Sequence, residues 1–139
     1  MPFGRERSHF NNNMRKNLIG LIDFLHEKQL LFENKDFREF EFLGNEFIYC
    51  DPPYQNSTAV YNTGWTTKED ADLLKLLDKA HEKGCKFALS CVLLHNGMEN
   101  TTIKEWATKY KINEVDWKYK NSNYHKRDRS PGLEVCITN

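Results

Sequence analysis

Asp51, Pro52, Pro53 and Tyr54 set an acid, two stiff prolines and an aromatic ring in four consecutive positions, directly after the strand-like run 46–50. That combination suits the holding of a planar amine. An amine on a flat ring needs acceptors in the plane of its N–H bonds and a π surface against its face, which one carboxylate, one backbone carbonyl and one tyrosine ring supply. Proline fixes φ and lacks an N–H, so the turn is rigid and its carbonyls stay free to accept. Ordinary turn chemistry, with the tyrosine capping a core, is the alternative reading of the same four residues. Position favours the first reading: open α/β sheets bind ligands at the carboxyl ends of their strands, where this turn would lie.

The elements that must position the turn follow from periodicity. Leu18, Leu21, Ile22 and Leu25 recur at helical spacing and predict a helix over residues 13–28. Leu30, Leu31 and Phe32 read as a short strand, and Phe47, Ile48, Tyr49 and Cys50 as a buried strand running into the turn. Thr66 and Glu69 have capping-box spacing, Leu73, Leu74, Leu76 and Leu77 give the following helix a core face, and Lys83-Gly84 should end it. With a buried strand predicted over 86–92, the segment 47–92 forms a β-α-β unit with parallel strands. A second capping box at Thr102 and Glu105 predicts a helix carrying Trp106 and ending near Tyr110. Alternation predicts strands over 112–119 and 133–138, joined as an antiparallel hairpin.

The chain has 139 residues, enough for one domain with a real core. Its 20 basic and 20 acidic residues balance, so any phosphate contact must come from local clustering. Cys50, Cys85, Cys91 and Cys136 lie in or beside apolar runs without C-x-x-C spacing and read as buried thiols. His9, His26, His81, His95 and His125 form no ligand-spaced pair, so no metal is assigned. No signal-peptide pattern or membrane-length apolar stretch is evident, and a cytoplasmic protein is expected.

The turn and its neighbours together resemble the adenine-N6 DNA methyltransferases of the Dam and DpnII-associated (D12 class) type, whose catalytic motif is Asp-Pro-Pro-Tyr. The likeness extends to Val60-Tyr61-Asn62 with Gly64-Trp65, to Lys86-Phe87-Ala88-Leu89-Ser90, to Asn121-Ser122-Asn123-Tyr124 and to the closing run 134–139. It implies an α/β fold, here a partial Rossmann-like S-adenosylmethionine-dependent methyltransferase sheet with an antiparallel C-terminal hairpin. It further implies methyl transfer from S-adenosylmethionine to adenine N6 in double-stranded DNA, with Asp51, Pro52, Pro53 and Tyr54 catalytic and Asp51 also facing the cofactor.

Asp36 and Phe37 follow a predicted strand and are candidates for the cofactor's ribose or adenine. A surface acid beside a core phenylalanine is the other reading. Lys118, Lys120, Asn123, Tyr124, Lys126, Arg127 and Arg129 mix cations, amides and an aromatic ring in a manner suited to DNA phosphate. A solvated loop carries the same composition. Tyr61 and Asn62 join the DNA-facing candidates through the resemblance alone.

Family members open with a glycine-rich turn that holds the methionine part of the cofactor. The seven glycines here, at 4, 20, 44, 64, 84, 97 and 132, stand too far apart for a G-x-G loop. The expectation is therefore a carboxyl-terminal portion of such an enzyme: 1–12 the tail of a target-recognition segment, 13–139 the later part of the catalytic domain. A gene remnant, a fragment and one subunit of a split enzyme all fit that expectation. So do a non-catalytic remnant that self-associates and a transferase acting on RNA or a protein amide. An unpaired sheet edge is expected to call for a second copy or for a companion chain supplying the missing half.

Overall fold

The computed structural model describes residues 10–28, 30–55, 64–95, 97–115 and 132–139. The chain divides into two units, Met1–Lys35 and Asp36–Asn139. In the first, helix α1 (Asn12–His26) begins at Asn11, whose side chain accepts from the Met14 N–H at 3.0 Å. Residues 30–36 hold no strand, contrary to the expectation for Leu30, Leu31 and Phe32. Three apolar residues in a row satisfy a strand's composition, but a strand also needs a ladder partner, and the described strands all pair with one another.

The second unit contains the sheet. Its described strands are β1 (Phe47–Cys50), β2 (Lys86–His95), β3 (Met98–Glu99), β4 (Lys111–Glu114) and β5 (Leu133–Thr138), in the order β1-β2-β5-β4, with β3 paired to the end of β2. β1 and β2 are parallel, from Phe47 opposite Lys86 to Cys50 opposite Leu89. β5 lies between β2 and β4 and is antiparallel to both, so the sheet is mixed and the expected closing hairpin is present. Residues 116–119, the rest of the expected strand, lie outside the described residues.

Helix α2 (Thr67–Glu82) is the crossover between the parallel strands. It starts with the expected capping box: Thr66 Oγ1 accepts from the Lys68 N–H at 3.2 Å, and Glu69 Oε2 accepts from the Thr66 N–H at 2.9 Å. It stops at Lys83, after which Gly84 takes a φ of +94° that a side chain would resist. Leu73, Leu74 and Leu77 pack with Phe87, Leu89, Cys91 and Leu93 of β2 and with Val135 and Ile137 of β5. Ile48 and Cys50 of β1 border this core from the same face of the sheet.

Helix α3 (Thr101–Ala107) completes that layer with Ile103, Trp106 and Ala107. Its cap is Asn100 rather than Thr102, with Asn100 Oδ1 accepting from the Ile103 N–H at 3.1 Å. Asp78 ties α3 to α2 by accepting from Trp106 Nε1 at 2.9 Å, the Tyr110 hydroxyl at 2.8 Å and Lys109 Nζ at 2.7 Å. Cys85 and Cys91 are buried as expected; Cys50 and Cys136 are partly exposed, and all four are free thiols. Among the described residues no helix is long and apolar enough to cross a membrane.

The start of β1 is fixed by its own preceding acid. Glu46 accepts from the backbone N–H groups of Leu43 at 2.7 Å, Gly44 at 2.8 Å and Asn45 at 3.0 Å, and from Cys85 Sγ at 3.3 Å. These bonds, the one from Leu43 foremost, hold its carboxyl down to about 2. Gly44 has a φ of +108° and faces the Lys83 carbonyl so closely that no Cβ fits.

Candidate active site

Cys50 ends β1, so Asp51 leaves the sheet at the carboxyl end of a parallel strand, beside the point where β2 continues through Ser90. Asp51 is exposed, while Pro52, Pro53, Tyr54 and Gln55 are partly covered. The turn closes on itself: the Tyr54 hydroxyl donates to Asp51 Oδ1 at 2.9 Å. Burial and then this bond push the Tyr54 phenol up to about 12, with Glu134 adding to the rise and a hydrogen bond from Ser90 opposing it. The phenol stays a neutral donor at physiological pH, and Ser90 of β2 and Glu134 of β5 join the surroundings of the turn. Chemically, a carboxylate and a ring stand side by side at a strand end, an arrangement able to meet an N–H donor from its edge and its face.

A second acid, which sequence reasoning missed, stands behind the turn. Asp70 is 1% exposed and, among the described residues, accepts three hydrogen bonds from neutral side chains. Gln55 Nε2 reaches its Oδ2 at 2.9 Å, Asn100 Nδ2 the same oxygen at 2.7 Å, and Trp65 Nε1 its Oδ1 at 2.7 Å. The available signal was helical phase: Asp70 precedes Leu73, Leu74 and Leu77 by three, four and seven residues and so lies on the buried stripe of α2. An acid on such a stripe must be held by partners.

Asp36 and Phe37 begin a 3-10 turn (Phe37–Glu39) rather than following a strand. Asp36 caps that turn by accepting from the Arg38 N–H at 2.9 Å, and it pairs with the Arg38 guanidinium at 3.1 Å. The backbone bond first, then the guanidinium, hold its carboxyl below the usual range. Arg38 continues to Asp72 at 2.9 Å and Glu69 at 3.4 Å, which fastens the 3-10 turn to the start of α2. The Phe37 ring packs against Trp65 with centroids 5.6 Å apart. The carboxylate expected to meet a cofactor is thus engaged by Arg38. Trp65 links the surroundings of Phe37 to Asp70, and through Gln55 to the turn 51–54.

Tyr61 and Asn62, and Lys118, Lys120, Asn123, Tyr124, Lys126, Arg127 and Arg129, lie outside the described residues. Among the described residues no group of histidine, cysteine and acidic side chains could hold a metal ion.

Comparison with known proteins bears on what this turn does. The pattern of the D12 class N6 adenine-specific DNA methyltransferases matches residues 1–121. The chain is 42% identical over 147 residues to the type II methyltransferase M.FokI of Planomicrobium okeanokoites and 38% identical over 149 residues to the modification methylase StsI of Streptococcus sanguinis. Each alignment covers 99% of this chain and 23% of the relative. The modification methylase LlaI of Lactococcus lactis subsp. lactis is 37% identical over 115 residues, 75% of this chain and 16% of the relative. The chain therefore spans less than a quarter of the length of these relatives.

Proposed function

Because the chain belongs to the D12 class N6 adenine-specific DNA methyltransferase family, we propose that its turn 51–54 holds the N6 amine of a target adenine in DNA for methylation. The observation that carries this reading is the meeting of Asp51 and Tyr54 at the carboxyl end of a parallel strand. An exocyclic amine is a weak nucleophile because its lone pair is delocalised into the ring. Asp51 and the Pro52 carbonyl each accept one N6–H bond, favouring a pyramidal nitrogen and stabilising the positive charge that grows on it during attack. The Tyr54 ring stacks on the base after it leaves the duplex, an extrusion that costs a few kcal/mol and that stacking partly offsets. As the amine arrives it takes the place of the Tyr54 hydroxyl on Asp51.

S-adenosylmethionine, the methyl donor we assign, would supply the transferable methyl group. The described residues fit the amine side of that reaction and not, by themselves, the cofactor side. β1 has no described neighbour on its outer edge, Asp36 is engaged by Arg38, and the sequence lacks the glycine-rich turn. A ligand lodged at a strand end in an open α/β sheet needs a wall on both sides. We therefore read this chain as the later part of a Rossmann-like catalytic domain, with residues 1–12 the end of a target-recognition segment. The β1 edge would be covered by a second copy, a companion chain or the remainder of a longer protein, and the glycine-rich part of the cofactor pocket would come from one of the latter two. DNA contact by 118–129 and by Tyr61 and Asn62 belongs to the same proposal.

Three measurements test it. Isothermal titration should show micromolar S-adenosylmethionine binding once the companion polypeptide is present, and little without it. Labelled methyl should enter DNA at adenine N6, and Asp51→Ala should abolish this with the circular dichroism spectrum unchanged. Full activity in Asp51→Ala, or label in RNA or protein and not in DNA, would refute the assignment.

A further inference from the structure

We infer that Asp70 is the positioning residue of the catalytic turn, an inference that rests on the reading of 51–54 given above. A carboxylate at this depth is expensive, since taking it from water costs several kcal/mol unless its lone pairs are filled. A leucine would extend the stripe of Leu73, Leu74 and Leu77 at no such cost. Yet the acid is there, and its three donors come from three separate segments. Gln55 follows Tyr54 directly; Trp65 leads into the Thr66 cap of α2; Asn100 caps α3. One buried group thereby ties the exit of the turn to the beginnings of both helices.

Gln55 is held at both ends of its amide, since Nε2 donates to Asp70 and Oε1 accepts from Thr67 Oγ1 at 3.4 Å. With β1 fixing the entry and Gln55 fixing the exit, the rotations that swing the Tyr54 ring away from Asp51 are restricted. Substrate-holding groups work only when kept within about half an ångström of the productive geometry. Among the described residues no cation pairs with Asp70, so its environment is built from N–H donors and from the N-terminal end of α2, which favours negative charge. That donor set is specific for a carboxylate. An asparagine there offers one carbonyl oxygen and one NH₂, so in either orientation its NH₂ is turned toward at least one of the three donors.

Asp78 supplies the matched comparison. Among the described residues it also accepts from three side chains, but these join α2 to α3 and the turn after it and include no residue of the turn 51–54 or its flanks. Hydrogen exchange by mass spectrometry on the full chain should separate the two roles without any methylation assay. In Asp70→Asn, and separately in Gln55→Met, the amides of Asp51, Tyr54 and Gln55 should exchange about tenfold faster, with β2 amides unchanged. The double variant should exchange no faster than either single one. Asp78→Asn should lower global stability and leave the turn alone.

Unchanged exchange at the turn in both Asp70→Asn and Gln55→Met would overturn the inference, and so would an equal rise in the turn and β2. If Asp70→Asn does not fold, Gln55→Met alone decides. In the assembled enzyme, Asp70→Asn should lower kcat about tenfold while KM for DNA stays within about twofold, the mark of misplacement rather than lost binding. Full activity in Asp51→Ala would remove the functional reading and leave the exchange result standing. Rigid exchange in both Asp70→Asn and Gln55→Met would remove the positioning role even with Asp51 essential.

Discussion

Replacing Tyr54 by phenylalanine separates its ring from its hydroxyl, and the proposed function assigns the two opposite effects on target binding. The hydroxyl donates to Asp51 Oδ1 at 2.9 Å and so occupies an acceptor that the incoming amine needs. Hydrogen bonds to charged groups contribute about 1.5–3 kcal/mol net; Asp51 is exposed, so about 1 kcal/mol is the appropriate value here. Tyr54→Phe frees the acceptor, and at RT near 0.59 kcal/mol adenine should bind about fivefold tighter. Tyr54→Ala frees it too but forfeits stacking of about 1–3 kcal/mol per base, for a net change between none and about thirtyfold weaker. The two variants should therefore differ by the whole stacking contribution, about fivefold to about 150-fold.

Fluorescence anisotropy with labelled single-stranded oligo(dA) isolates this difference, because a single strand removes the unpairing part of the extrusion cost equally for both variants. Circular dichroism would confirm that both variants keep the fold. Equal weakening in Tyr54→Phe and Tyr54→Ala would refute the reasoning, since it would place the binding energy in the hydroxyl and not in the ring. Oligo(dT) should show a smaller difference between the two variants, because the smaller ring stacks less.

Other parts of the fold yield sharp expectations as well. The carboxyl of Glu46 is held down to about 2 by its backbone donors, so its contribution is present above about pH 4.5 and lost as pH falls toward 2. Thermal melts should show Glu46→Gln less stable than the parent at pH 7, with the gap closing between pH 4.5 and 2; a gap independent of pH would contradict this. Asp78→Ala leaves Trp106 Nε1 and the Tyr110 hydroxyl, both part-buried, without their acceptor, and urea denaturation should report a loss of about 2–3 kcal/mol. Leu77 is fully buried among α2, β2 and β5, and Leu77→Ala should cost about 2–5 kcal/mol with the denaturant slope preserved.

Local signals in the sequence located most of the frame. Thr66 and Glu69 mark the start of α2 because both halves of a capping box lie within four residues, and Gly84 marks its end because a left-handed φ selects glycine. The run into Asp51 identified the bounds of β1 to the residue but not its burial, since Phe47 and Tyr49 are exposed, and the helix between two apolar runs required the parallel pairing of β1 with β2. The failures have the opposite character. Leu30, Leu31 and Phe32 have the composition of a strand but not its partner, and pairing is not written in the segment itself. Asn100 displaces Thr102 as the cap of α3 because its amide also reaches Asp70, thirty residues away. Asp70 and Asp78 were missed for the same reason: their donors lie from five to 32 residues distant, and only the fold brings them together.

The position of the turn in the sheet accounts for its dependence on Asp70. β1 is four residues long and lies at the end of the described sheet, with its ladder running along one side only. Parallel strands are ordinarily buried on both faces, yet Phe47 and Tyr49 are 69% and 63% exposed on the face opposite Ile48 and Cys50. A short strand with one described neighbour is a weak mount for groups proposed to hold an amine to within a fraction of an ångström. The stiffness has to enter from elsewhere, and the α2 side provides it through Asp70, Gln55 and Trp65. The amine-holding half of the site can then be formed before any partner reaches the β1 edge. On the proposed reading a companion polypeptide would contribute the cofactor wall and not the shape of the turn, so adding it should leave hydrogen exchange at Tyr54 and Gln55 nearly unchanged while exchange along β1 slows.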